Sequence, residues 1–161
     1  MAKARNKKMI EPSHPPVQTG PYLAAALIAE KILREPDAAT IVRVIDKIGI
    51  SPETVKDIKD DMLGLPLTIL LSFRSGGYIG KSELVLVQVG PSGNSMPCGL
   101  ANLSFESTID TKYMMSQVVL KWEYEGDYSF DVFLDHKLVS RIPLQIEFPR
   151  LSLAKHETGR S

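Results

Sequence analysis

One cysteine among 161 residues rules out an internal disulfide, and with it the stapled scaffold of a small secreted domain. The same scarcity removes every cysteine-based zinc pattern, and three scattered histidines leave little for a histidine-based one. Long apolar runs are missing as well. The longest, Tyr22 to Ala29, falls well short of the roughly 20 residues that a membrane-spanning helix needs, and Glu30 and Lys31 follow it at once. Collagen-like and coiled-coil periodicities are absent, and so are repeats at solenoid or propeller periods. Net charge is zero. What is present is ordinary globular composition, long enough for one self-sufficient core.

The zero is a sum of unlike parts. Lys3, Arg5, Lys7 and Lys8 against Glu11 give residues 1–20 a charge of +3, and Arg150, Lys155 and Arg160 against Glu157 give residues 148–161 a charge of +2. The body, 21–147, is therefore acidic at −5. Phosphate binding needs clustered cations, so no nucleic acid is expected on the folded part. Residues 1–20 have no apolar face and carry Pro12, Pro15 and Pro16, a composition that predicts a disordered tail. Glu11 and the prolines also separate the basic start from the apolar run, unlike a secretory signal, which leaves the cytoplasm as the expected compartment. The domain is expected over 21–148, with a second flexible tail over 149–161.

From Pro66 onward the dominant period is two. Leu67, Ile69, Leu71 and Phe73 alternate with Thr68, Leu70, Ser72 and Arg74; Gly76-Gly77 breaks the run, and Leu84 to Val89 follows, so these two strands read as a hairpin. The cluster Gly90-Pro91-Ser92-Gly93-Asn94 closes a turn into a third strand near 99–107, with Leu103 and Phe105 inward. Another turn falls near Asp110. Val118, Leu120, Trp122 and Tyr124 then define one inward set, and Tyr128, Phe130, Val132 and Leu134 define the next. Asp135-His136-Lys137 turns into a last strand in which Leu138, Ile142, Leu144, Ile146 and Phe148 share a side. Pro143 lacks a ladder donor and places that strand at an edge or on a bulge.

The first third is ambiguous. Residues 22–35 are rich in helix formers, yet a β-branched stretch over 40–50 follows Pro36-Asp37-Ala38-Ala39, so helix and paired strand both fit. Ser51 as cap, Pro52 and Glu53 predict a short surface helix over 52–61, ended by Gly64. Many short strands between Gly/Pro turns, with at most that one helix, predict an all-β protein: an antiparallel immunoglobulin-like sandwich of about seven to nine strands.

Candidate chemistry is sparse. Asp57, Asp60 and Asp61 share a helical face but lack the turning Gly and terminal Glu of a calcium loop. The Gly76-Gly77-Tyr78-Ile79-Gly80 stretch is flanked by strands on both sides, where a phosphate loop would need a helix after it. His14 and His156 lie in the tails, and His136 sits in a turn beside Asp135, so no acid, base and nucleophile set forms around Cys98 or any serine. No catalytic residue, metal or cofactor is expected. Asn102-Leu103-Ser104 matches a glycosylation acceptor that has meaning only behind a signal peptide. Tyr78, Trp122 and Tyr124 form either core or a gripping platform, and with Asp135 and His136 they make up the candidate ligand or partner contacts. Tyr128 is placed to pack inward with its hydroxyl tied to a nearby carbonyl, as at sandwich corners.

Ala29-Glu30-Lys31-Ile32-Leu33, the stretch Thr40 to Ile48, Gly126-Asp127-Tyr128-Ser129-Phe130-Asp131-Val132 and Ile142-Pro143-Leu144 together resemble a family of small bacterial β-sandwich proteins of unknown function. The family often has a Gly in the first connection, where this chain has Ala38-Ala39. The resemblance implies that residues 22–33 are a strand paired with 40–50, and that the protein is bacterial and cytoplasmic; it implies no catalytic residue. The expected function is a non-enzymatic interaction or accessory module, binding a protein partner or itself through an edge strand or a loop end, with no membrane partner. The alternative is a small-ligand or carbohydrate-binding sandwich, and an enzyme with an unrecognised site comes third.

Overall fold

The computed structural model describes residues 19–36, 38–51, 64–122 and 124–148. The predicted helix over 52–61, its three aspartates, both tails, His14 and His156 lie outside those residues.

Among the described residues nine strands form two sheets: β1 (Tyr22–Arg34), β2 (Ala39–Val44), β3 (Lys47–Gly49), β4 (Gly64–Arg74), β5 (Gly80–Val89), β6 (Ser95–Phe105), β7 (Thr111–Lys121), β8 (Gly126–Leu134) and β9 (Lys137–Glu147). The four-stranded sheet runs β2-β1-β4-β7 and the five-stranded sheet runs β3-β9-β8-β5-β6. The protein is an all-β sandwich with no helix among the described residues. All pairs are antiparallel except β3 with β9, which is parallel.

Period-two patterning delivers the core. Leu67, Ile69, Leu71 and Phe73 of β4 face Leu84, Leu86, Phe130, Val132, Leu144 and Ile146 of the opposite sheet, all of them nearly inaccessible to solvent. Each such side chain contributes roughly 1.5–3 kcal/mol of burial.

Helix propensity loses over residues 22–34, which form β1 and pair with β4 from Tyr22↔Arg74 to Ala29↔Thr68. The local sequence is ambiguous because both faces of this strand are apolar: Ile28 enters the core while Leu27 and Ala29 line the outer face beside Leu70 and Thr68. The single strand expected over 40–50 divides in two. Arg43 takes a left-handed conformation (φ 49°), Ile45 N–H closes on Ile28 O at 2.8 Å, and the chain then crosses to the other sheet, where Gln145 N–H donates to Asp46 O at 2.9 Å.

The hairpin expected between β4 and β5 is not formed. β4 pairs with β1 and β7, whereas β5 pairs with β6 and β8, so Gly76-Gly77 carries the chain from one sheet to the other. Turn chemistry marks where a strand stops and is silent on whether its successor pairs with it. The remaining turns fall as expected, with hairpins at β5–β6 and β8–β9. Pro143 stands where β9 has no outer neighbour among the described residues, since β3 reaches only Gln145 to Glu147. A register shift opposite Val132/Phe133 leaves Val139 packed on the core and Leu138 exposed, which corrects the expected inward set.

Candidate functional site

Strand register places the candidate residues at opposite ends of the sandwich. Tyr78 follows β4 at the end where Arg74 pairs Thr111, while Trp122 and Tyr124 follow β7 at the end where Gly64 pairs Lys121. They do not form one platform. Trp122 is buried at 8% exposure, edge-on to Phe148 at 5.6 Å, and Tyr78 is half-buried, edge-on to Phe105 at 6.2 Å with its hydroxyl donating to Lys81 O at 2.9 Å. Only Tyr124 is largely exposed, at 62%.

Tyr128 packs inward as its strand pattern predicts. Its hydroxyl donates to Tyr124 O at 2.9 Å and accepts from Tyr124 N–H at 3.3 Å, which ties the β7–β8 connection to the core.

Asp135 and His136 are the two central residues of the β8–β9 hairpin, with φ of 48° and 65°, the positive pair of a type I′ turn. Asp135 also extends the sheet: its N–H donates to Glu83 O at 2.9 Å and its Oδ1 accepts from Glu83 N–H at 2.8 Å. That carboxylate is committed to backbone. A cleft of about 540 Å³ opens beside this turn, lined by Gly20, Tyr22, Leu23, Asp135, Lys137 and Leu138. Of the five candidate residues it takes in only Asp135.

Cys98 sits in β6 where the register against β5 shifts between Leu86 and Val87, so it is the extra residue of a bulge. Burial pushes its thiol up from the ordinary cysteine value, a setting that disfavours the nucleophilic thiolate. β5 separates it from Asp135 and His136, which lie beyond the other end of that strand's paired run. Among the described residues, no group of three His, Cys, Asp or Glu side chains is placed to hold a metal ion.

Two polar arrangements escaped sequence reasoning. Asp131, outward on β8 yet 7% exposed, accepts from Arg141 Nε at 2.8 Å and Nη2 at 2.7 Å and from Ser129 Oγ at 3.1 Å. The Arg141 guanidinium holds its carboxyl below the ordinary aspartate value, chiefly by hydrogen bonding, against a smaller opposing effect of burial. Gln88 points into the sandwich from β5: its Nε2 donates to Lys121 O at 2.6 Å and its Oε1 accepts from Lys121 N–H at 3.0 Å, joining the two sheets. The available signal was Gln88 itself, a polar residue at the inward position that continues Leu84 and Leu86.

Of the eight exposed large apolar residues on described strands, six belong to the four-stranded sheet, with Leu100 on β6 and Leu138 on β9 the other two. The two edge strands of the four-stranded sheet carry Ile41, Val42 and Val44 on β2 and Tyr113 and Val119 on β7, from 38% to 59% exposed.

No protein-family model and no curated protein matches the chain. Two solved structures are similar to the chain. An alkylpurine DNA glycosylase, AlkC, from Pseudomonas fluorescens, bound to DNA containing an abasic-site analogue, is 8% identical with a TM-score of 0.43, over 80% of this chain and 31% of that one. An immunoglobulin-like protein from Pseudomonas aeruginosa is 13% identical with a TM-score of 0.40, over 81% of this chain and 98% of that one. The chain thus spans under a third of the glycosylase's length. The class defined by the strand order and pairing is a two-sheet, predominantly antiparallel β-sandwich. Neither likeness carries an argument about activity, and no helix among the described residues is long and apolar enough to cross a membrane.

Proposed function

We propose that this chain is a non-enzymatic interaction module of the bacterial cytoplasm, which binds a protein partner or itself through the four-stranded sheet. The observation that carries this reading is the gathering of exposed β-branched and aromatic side chains on both edge strands of that sheet, β2 and β7. An edge strand presents a row of backbone donors and acceptors, and apolar side chains beside that row supply burial once it is occupied. Burial raises the Cys98 thiol and Asp135 is committed to Glu83, which disfavours a catalytic reading at either residue. The sugar-binding alternative loses its platform because Tyr78 stands at one end of the sandwich and Trp122 and Tyr124 at the other.

The test compares wild type with Ile41→Lys/Val44→Lys and with Tyr113→Lys/Val119→Lys in sizing chromatography and in pull-downs from the native lysate. All four positions are exposed, so folding is retained. Association by wild type that is lost in at least one double variant supports the reading. A wild type that is monomeric and captures nothing overturns it.

A further inference from the structure

We propose that the open edge of β7 is an acceptor slot for an extended segment of another protein, which adds to the four-stranded sheet as a fifth strand. This rests on the interaction-module reading and names the site and the partner's chemistry.

The slot follows from how the sheets stack. β1 packs over β9 at one side of the sandwich, and Gln88 of β5 bonds to Lys121 of β7 at the other. β6 also meets β7 across the sandwich, so any uncovered stretch of β6 is confined to the part of the strand beyond that contact. The inner face of β6 in its first half consists of Met96, Cys98, Gly99 and Ala101, all half-buried, whereas Leu103 and Phe105 further along are covered. A strand beside β7 would lie over that floor of small side chains.

The wall of the slot is backbone. In an antiparallel strand each residue directs its N–H and C=O to the same side, and the side alternates. Lys121 gives both groups to Gln88 and so directs them away from β4. Tyr113, Met115, Gln117 and Val119, which share its parity, therefore direct theirs to the open edge. Pro66 agrees with this phase: it stands opposite Val119 and has no N–H to offer β7.

Nothing on β7 blunts the edge. Its eleven residues pair with β4 without a register shift and contain no proline, and its lysines stand near the ends at Lys112 and Lys121. The other edges are guarded. β6 carries Pro97 and the Cys98 bulge, β2 carries the left-handed Arg43, and the open length of β9 carries Arg141 and Pro143. Lys112 is paired with Asp110 at 3.0 Å, whereas Lys121 makes no ion pair with a described residue. The fitting segment is therefore extended and apolar at alternate positions, with a carboxylate at the end that meets Lys121.

A second copy fits this edge poorly. Pairing β7 antiparallel with its own copy requires a two-fold axis perpendicular to the sheet, which sets both five-stranded sheets on one side and drives the first halves of the two β6 strands toward each other.

The experiment is residue-resolved amide exchange on the full chain, alone and with the probe peptide Glu-Val-Thr-Val-Ser-Val-Thr. In the free protein the amides of Tyr113, Met115, Gln117 and Val119 exchange fast and those of Met114, Ser116, Val118 and Leu120 slowly. The peptide slows the first set by at least about tenfold, and Gln117→Pro, which removes an outward donor while leaving the β4 ladder intact, abolishes that protection. Gln117→Ala keeps it, and the wild-type alternation stands as a readout even if the proline variant does not fold. Protection of the outward set in the dilute free protein would mean that the chain covers its own edge, and protection that grows with protein concentration would mean a second copy; either overturns the proposal. Fast exchange at about 1 mM peptide also overturns the slot, while partner association that survives in Gln117→Pro would leave the broader module reading standing.

Discussion

The two sheets are built from the same residue types but differ in how they end. The five-stranded sheet is sewn by two local hairpins, β5–β6 and β8–β9, and its open edges, β6 and the length of β9 beyond β3, carry Pro97, the Cys98 bulge, Arg141 and Pro143. The four-stranded sheet has one hairpin, β1–β2; β4 is joined to β1 and β7 by pairings distant in sequence, and β7 is left plain along eleven residues. Devices against strand addition thus stand on both edges of the five-stranded sheet and, as the left-handed Arg43, on β2, and the contrast leaves β7 as the plain edge.

Both sheets depend equally on the shared core, so the largest effect does not discriminate between them. Phe73→Ala in the four-stranded sheet and Phe130→Ala in the five-stranded one, both at 0% exposure, should each cost about 3–5 kcal/mol in chemical denaturation. A markedly smaller loss for Phe73→Ala would mean that the four-stranded sheet is loosely packed throughout and not open only at its edge.

Gln88→Leu comes next. It removes both partners of the Lys121 backbone and should cost about 1–3 kcal/mol, with faster amide exchange at the end of β7 and little change in β8. Unchanged stability would show that the side-chain link between the sheets is not holding β7 in place.

The ion pair on the five-stranded sheet sharpens the contrast through pH. Because the Asp131 carboxyl is held below its ordinary value, its contribution is present above the unfolded aspartate pKa of about 3.9 and is lost as pH falls through the lower folded value. Asp131→Asn should cost about 1 kcal/mol near neutral pH, discounted because Arg141 is 61% exposed, and should flatten the acid limb of the stability profile. An acid limb identical in wild type and variant would assign the pH dependence to other groups.

The smallest effect is at the β8–β9 turn. His136→Gly relieves a left-handed conformation at φ 65° and should stabilise by up to about 1 kcal/mol in thermal unfolding. Destabilisation there would reveal a side-chain role for His136 beyond turn geometry.

Strand positions from β4 onward were legible because one face of each strand meets the core, which imposes a period of two on Leu67 to Phe73 and on Tyr128 to Leu134. Partnering was not legible. Gly76-Gly77 and Gly90 to Asn94 look alike as turns, yet the first changes sheets and the second closes a hairpin, a choice set by which faces bury each other across the sandwich. β1 was equivocal because its outer side chains, Leu27 and Ala29, are as apolar as its inner ones, which erases the alternation. Of the candidate contacts, the sequence marked Tyr78, Trp122, Tyr124, Asp135 and His136 by residue type. It could not show that they fall at two ends, that Trp122 is core, or that Asp135 is spent on Glu83. The open edge of β7 was invisible for the same reason: a backbone donor carries no letter of its own.

The most direct test of an open four-stranded sheet is amide exchange along β7 in the dilute, partner-free protein. The account predicts a two-residue alternation, with Tyr113, Met115, Gln117 and Val119 exchanging at least about tenfold faster than Met114, Ser116 and Val118 between them. Uniform slow exchange from Tyr113 to Val119 would contradict it.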